Sequence, residues 1–209
     1  MAITRIDLPI DENKIRELTV GDEVGLYGTI ITGRDGAHKL MHEAIHAMQH
    51  GDPAQMAALD WLKPILLGSF IYHCGPVMVR ETVGGIERWA CRGAGPTTSS
   101  REEPYQWEVM RDHGIRGVIG KGGMGPKTLA GCVTYGCVYL HAIGGAAQVC
   151  AERITRVDGV DWMDLGSPEA IWHLWVERFP CIVTMDSHGN SLHQQVRETS
   201  TAALAGLQA

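Results

Sequence analysis

Three short loops in this sequence each place one cation among glycines or hydroxyls. They are GRDGAH (33–38) with Arg34, GPTTSSR (95–101) with Arg101 behind two threonines and two serines, and GKGGMGPKT (120–128) with Lys121. Each follows a β-rich stretch and precedes a helical one, the setting in which backbone N–H groups converge on anions. Two guanidinium forks and one ammonium suit the two carboxylates of a compact di-anion. Simpler roles account for part of the pattern, since glycines make tight turns and Ser99 or Ser100 can cap a helix. They do not account for Arg101 at a helix start, where an acid is favoured, or for Lys121 amid glycines.

Two nucleotide patterns lie close by and fail. G-K-G-G-M-G satisfies G-x-G-x-x-G, but the next strand, CVYLHAIGG, ends in His141 and glycines where a dinucleotide ribose needs an acid. The phosphate pattern G-x-x-x-x-G-K-[ST], started from Gly120, is interrupted by Pro126, which removes an N–H and displaces the lysine.

A second constellation is HKLMHEAIHAMQH (38–50), with a histidine at every fourth position and HEAIH matching the zinc-protease pattern H-E-x-x-H. On a helix His42 and His46 share a face and could grip one Zn²⁺, with Glu43 deprotonating a bound water. The same stretch carries Ala37, Leu40, Met41, Ala44, Ile45 and Met48, the stripe of an ordinary amphipathic helix with the histidines along its edge. A protease also needs a third ligand and an open cleft, which the sequence does not signal, so no metal ligand is assigned.

The elements that must position these loops alternate. EVGLYGTIIT (23–32) reads as a strand and 35–50 as the amphipathic helix. SFIYHCG, PVMVRETV and ERWACRG form a hairpin-like β section with turns at Gly75-Pro76 and Gly84-Gly85. Then come a polar helix near 101–113, a strand at IRGVIG, a helix opened by Pro126, a strand at CVYLHAI and a helix at GAAQVCAERI. Two alternating runs, LWVERF and CIVTMDS, end at the turn His188-Gly189-Asn190, and 193–209 reads as either a loosely held helix or a frayed tail, with no role assigned. This is α/β layering, read as one domain over 1–209.

Composition narrows the function. The chain has 209 residues, 44% apolar and 20% charged, with no apolar run near the roughly 20 residues that span a bilayer. The start, MAITRIDLPIDENK, carries early acids and no apolar core of a signal peptide, so the expected location is the cytoplasm. A net charge of −6 with scattered cations argues against nucleic acid. The six cysteines show no C-x-x-C and no ferredoxin-like spacing, so an iron–sulfur cluster, if one takes part, is not expected on this chain alone.

TGRDGAH, GPTTSSR, GKGGMG and the late VERFPCIVTMDSHGNSL stand in an order and spacing that resembles the C-terminal domain, or separate β subunit, of class I (iron–sulfur) fumarate hydratases and L-tartrate dehydratases. The resemblance runs roughly from residue 18 to 192. It implies a swivelling β/β/α fold and closure over a 4Fe-4S cluster ligated by a partner α subunit, in an α₂β₂ assembly. It also implies reversible hydration or dehydration of a C4 dicarboxylate, fumarate/malate, with tartrate dehydration to oxaloacetate as the alternative. A non-catalytic dicarboxylate-binding module is the alternative from another class. Carried over by motif position, Thr97 matches the catalytic base, and Arg34, Arg101 and Lys121 match residues that bind the substrate, Arg101 and Lys121 being catalytic as well. His38 takes a supporting role. The sequence departs from the pattern at His73-Cys74, which precede a turn where small residues are usual, and at Glu102, where methionine is common; the SHGNSL ending leans towards the tartrate branch.

Overall fold

The structure, a computed structural model, describes residues 3–49 and 61–208. In chain order its elements are β1 (Thr4–Asp7), α1 (Glu12–Ile15), β2 (Glu23–Thr32), α2 (Asp35–Gln49), α3 (Lys63–Leu66), β3 (Phe70–Tyr72), β4 (Val77–Val83), β5 (Ile86–Gly93), α4 (Gln106–His113), β6 (Gly117–Gly120), α5 (Pro126–Tyr135), β7 (Val138–His141), α6 (Ala147–Ala151), β8 (Ile154–Asp161), β9 (Ile171–Met185) and α7 (Leu192–Gln208). Short 3₁₀ turns at Ser99–Arg101 and Met163–Leu165 complete it.

Apolar residues on both sides of the short central strands decide the layering. Phe70 and Tyr72 join one core cluster and Ile71 the other; Val138 and Leu140 likewise face away from Tyr139. Period-two alternation with both faces buried gives the near-continuous apolar runs seen in the sequence. The sheet order is β1-β2-β3-β6-β7-β9-β8, and β9 also pairs with β2. The path β2–β3–β6–β7–β9 therefore returns to β2 and closes a ring of five strands. Leu26, Ile30, Phe179 and Val183 belong to one cluster. Outside, Ile31, Val118 and Met185 pack with Ala37, Met41 and Ile45 of α2 and with Val109 and Met110 of α4. Each such buried aliphatic or aromatic side chain contributes about 1.5–3 kcal/mol. The result is a mixed α/β fold with a strand-rich core.

Several elements differ from the sequence reading. LWVERF and CIVTMDS are parts of one 15-residue strand, β9, despite Arg178 at φ 52 and Pro180 within it. The pairing with β2 skips a step between Leu26 and Gly28, a bulge that absorbs the irregularity. The polar helix near 101–113 is a 3₁₀ turn followed by α4, closed by left-handed Gly114. GAAQVCAERI supplies only the five-residue α6 before Ile154 opens β8. From residue 192 the chain forms the largely exposed helix α7. His50, last of the four spaced histidines, lies outside the described residues. Among the described residues no helix is long and apolar enough to cross a membrane.

Candidate anion site at the carboxyl edge of the parallel strands

Strands β2, β3, β6 and β7 run parallel, so their carboxyl ends share one edge of the sheet. That edge carries Arg34, His73 and Lys121, each in a segment just past a strand end, where α/β sheets bind ligands. The GPTTSSR segment arrives from β5 and lies along the end of β6. The Thr97 N–H donates to the His73 carbonyl at 2.7 Å, the Lys121 N–H to the Thr97 carbonyl at 3.2 Å, and the Ser99 N–H to the Lys121 carbonyl at 3.1 Å. A side chain at Gly120 would overlap the Ser99 hydroxyl, so this close approach requires a glycine there. Two loops far apart in sequence thus become one surface.

The predicted cations have different surroundings. Arg34 is partly buried, its Nη1 3.3 Å from Glu169 Oε1, while its Nε is buried without a hydrogen-bond partner among the described residues. Its guanidinium passes over Gly75, where a Cβ would lie 2.6 Å from Nη1. Arg101 is exposed and reaches Asp35 of the first loop, Nη1 to Oδ2 3.4 Å. Lys121 makes no ion pair among the described residues, and its stem runs past Gly144. The Thr97 hydroxyl donates to the His73 carbonyl at 2.9 Å. Thr97 and Lys121 are therefore joined by backbone bonds, and the Arg34–Asp35 pair meets Arg101 through an ion pair.

Beneath this surface lies a buried polar network that the sequence reading largely missed. His38 Nδ1 faces the Arg34 carbonyl at 3.0 Å, and the Nε2 atoms of His38 and His73 meet one end of the Gln106 amide at 3.0 and 2.9 Å. His73 Nδ1 meets Ser99 Oγ, which also accepts from the Tyr139 hydroxyl. Burial lowers the pKa of His38, and burial together with His38 and Arg101 lowers that of His73 well below the ordinary value. A carbonyl can only accept, so His38 must carry its proton on Nδ1. Neutral His38 then accepts at Nε2, and the amide nitrogen of Gln106, a double donor, is the group that faces both rings. No pattern in the sequence announces Gln106; only the fold brings it between two histidines.

The two acids after Arg101 separate in role. Burial, with the Asp35 carboxylate beside it as a lesser cause, pushes Glu102 up to about 8, and neither of its oxygens has a hydrogen-bond partner among the described residues. Glu103 instead accepts from Gly125 N at 2.7 Å, Lys127 N at 2.8 Å and the Thr128 hydroxyl at 2.5 Å. The N–H groups that open α5, expected to face an external anion, are thus taken by the chain's own carboxylate. The loop contributes Lys121 to the shared edge and keeps its helix terminus for itself.

The cysteines are all free thiols, and among the described residues no three of them bring their sulfurs together. Burial raises each, Cys91 to about 11 and Cys137 to about 12, disfavouring the thiolate that a metal would need. These residues do not fit an iron–sulfur cluster held by this chain.

Comparison with known proteins agrees with the motifs. The sequence profile described as Fumarase C-terminus matches residues 2–196. The chain is 49% identical over 203 residues to a Geobacillus stearothermophilus protein named as a class I fumarate hydratase, covering 97% of this chain but 36% of that protein. It is 39% identical over 191 residues to a Methanocaldococcus jannaschii protein named as an L(+)-tartrate dehydratase β subunit, covering 90% of each. It is 32% identical over 185 residues to the L(+)-tartrate dehydratase β subunit of Escherichia coli strain K12, covering 88% of this chain and 83% of that one. With a profile match along nearly its whole length and two relatives of similar length, this chain belongs to the Fumarase C-terminus family.

Proposed function

We propose that this chain is the β portion of an iron–sulfur-dependent hydro-lyase that adds or removes water across a C–C bond of a C4 dicarboxylate, fumarate/malate. In this reading residues 1–209 are one swivelling β/β/α domain, acting in the cytoplasm with an α subunit that carries the 4Fe-4S cluster, in an α₂β₂ assembly. The observation that supports it most is the shared edge: Lys121 beside Thr97 and without an ion-pair partner among the described residues, Arg34 with a buried Nε that has no hydrogen-bond partner among them, and Arg101 tied to the first loop through Asp35.

The chemistry follows from charge. Removing a proton from the carbon next to a carboxylate builds negative charge on that carboxylate. Fixed cations aimed at it are worth several kcal/mol, roughly 10²–10³-fold in rate for each donor. Arg34, with its guanidinium held by Glu169, binds one end of the diacid; Arg101 and Lys121 bind the end where charge develops. Thr97 exchanges the proton. Its hydroxyl proton rests on a neutral carbonyl, so the alkoxide form depends on the two cations to lower its cost. His38 and Gln106 hold the first loop through the Arg34 carbonyl.

Tartrate is the second reading, supported by a specific observation: the relatives matched over most of their own length are named as tartrate dehydratase β subunits. The test is co-expression with an α subunit under anaerobic conditions and assay against fumarate, malate and tartrate. Thr97→Ala, Arg101→Ala and Lys121→Ala should each lower turnover by orders of magnitude while the assembly elutes intact. Unchanged rates in all three would refute the site, and the preferred acid separates the two readings.

A further inference from the structure

The HEAIH motif keeps an unexpected appointment. His42 Nδ1 lies 2.5 Å from Glu108 Oε2, and His46 Nε2 lies 3.3 Å from Glu108 Oε1. The ligand atoms of the three residues all lie within 4.8 Å of one another, the only such group among the described residues. We infer that His42, His46 and Glu108 form a binding site for one divalent cation of the zinc class, bridging α2 and α4.

Four observations carry this. First, His42 and His46 are one helical turn apart on one face of α2, with ring centroids 4.2 Å apart, so a single ion can bind both. Second, the third donor is a carboxylate from another helix, 66 residues on from His42, and it is buried; its hydrogen bonds among the described residues go to these two imidazoles. A buried carboxylate whose hydrogen-bond partners among the described residues are two imidazoles is poorly compensated, and a dication would compensate its charge. Third, the donors are near enough to converge. Bonds of about 2.1 Å in a tetrahedral site set donors about 3.4 Å apart, and here the three ligand atoms lie within 4.8 Å of one another, with each imidazole against a different oxygen of the Glu108 carboxylate. Fourth, the site is open: the His42 and His46 side chains are 31% and 44% exposed, so an ion can enter and retain water.

In the metal-free state the Glu108 carboxylate can only accept, so Nδ1 of His42 and Nε2 of His46 donate to it, and an ion can bind there only when each ring's proton sits on its other nitrogen. Both atoms then face the ion as lone pairs. Two imidazole nitrogens and one carboxylate oxygen suit Zn²⁺, with Co²⁺ and Ni²⁺ as substitutes. Glu43, the base position of the protease pattern, is exposed and pairs with Lys39, Nζ to Oε1 3.7 Å. Arg111, on the same helix as Glu108, is engaged by Asp112 at 2.7 Å. The ion clamps α2, which begins at Asp35, to α4, which begins at Gln106, and so braces the helix ends under the first loop.

The test uses the full 209-residue chain without a polyhistidine tag, stripped by a chelator and titrated with Zn²⁺ by calorimetry and with Co²⁺ by absorbance. One ion per chain at micromolar affinity or better is expected, with a rise in Tm. The Co²⁺ spectrum should lack a sulfur-to-metal charge-transfer band. His46→Ala and Glu108→Gln should each weaken binding by at least about 100-fold, more than loss of an outer hydrogen-bond partner does. Both should keep the wild-type circular dichroism and metal-free fold. Equal Zn²⁺ affinity in the wild type and the His42→Ala/His46→Ala double variant would overturn the proposal, as would a thiolate band that places the ion on the cysteines.

Discussion

Lys121 donates its backbone N–H to the carbonyl of Thr97 at 3.2 Å, so the tip of the glycine-rich loop and the threonine of the GPTTSSR loop move as one unit. The bond is between main-chain atoms and survives replacement of either side chain. Charge and hydroxyl can therefore be removed separately without dismantling the edge.

Thr97→Val removes the hydroxyl and retains the backbone bonds; Thr97→Ser keeps both. If the proposed function holds, then in a complex reconstituted with an α subunit kcat should fall by orders of magnitude in the valine variant and by about tenfold or less in the serine variant, the scale expected for a proton-transfer group. Lys121→Met should lower kcat/KM by roughly 10²–10³. Stopped assays under saturating and limiting substrate separate the two effects, and a valine variant as active as wild type would remove Thr97 from the chemistry.

Gly75→Ala puts a methyl 2.6 Å from Arg34 Nη1 and 2.8 Å from the Pro168 carbonyl oxygen. The guanidinium must move, and substrate binding should weaken more than turnover, with KM rising about tenfold or more, equivalent to about 1.4 kcal/mol. A KM equal to that of the wild type would show that Arg34 reaches the substrate from elsewhere.

Glu102 gives a pH signature. Its carboxyl is raised from 4.5 to about 8, burial first and Asp35 second. Below pH 4.5 it is protonated in both folded and unfolded chains. Between 4.5 and about 8 the unfolded chain gives up the proton and the folded chain keeps it, so stability falls by about 1.36 kcal/mol per pH unit from this group. Above that range the contribution is constant. Glu102→Gln lacks the penalty, so its Tm advantage over wild type should grow from about pH 5 to about pH 8 and then level off. A difference independent of pH would show that Glu102 ionises normally.

Glu103→Ala strips the carboxylate from the start of α5, leaving the N–H groups of Gly125 and Lys127 without their partner. The loss should be about 2 kcal/mol, a drop in Tm of roughly 4–8 °C for a chain of this size. Thermal melts monitored by circular dichroism read it directly; an unchanged Tm would mean that water replaces the cap at no cost.

Much of this was legible in the letters, for reasons that differ by element. β2 and the hairpin β4–β5 announce themselves by alternation and by the Gly84-Gly85 turn, and α2 by its apolar stripe at Ala37, Met41, Ala44 and Ile45. The cationic loops were visible because arginine or lysine among glycines has few structural reasons to exist. What stayed hidden is whatever depends on contact between distant residues. Pro180 and the positive φ of Arg178 break the pattern of β9, yet pairing on both edges overrides local preference. Gln106 and Glu108 are unremarkable polar residues of a helix until packing sets them against His38, His73, His42 and His46. Glu103 gave a partial signal, being one of two acids just before a helix, but nothing indicated that it would serve a different helix.

β9 pairs with β2, β7 and β8, and it comes late in the chain. During synthesis on the ribosome the other four members of the ring emerge first, and the edges of β2 and β7 that β9 pairs with stay open until it arrives. Closure then joins residues as far apart as Glu23 and Ile182, a long-range step of the kind that slows folding and exposes nascent chains to aggregation. The last strand acts as a latch, and the rate at which it is translated sets how long the half-built barrel stays vulnerable.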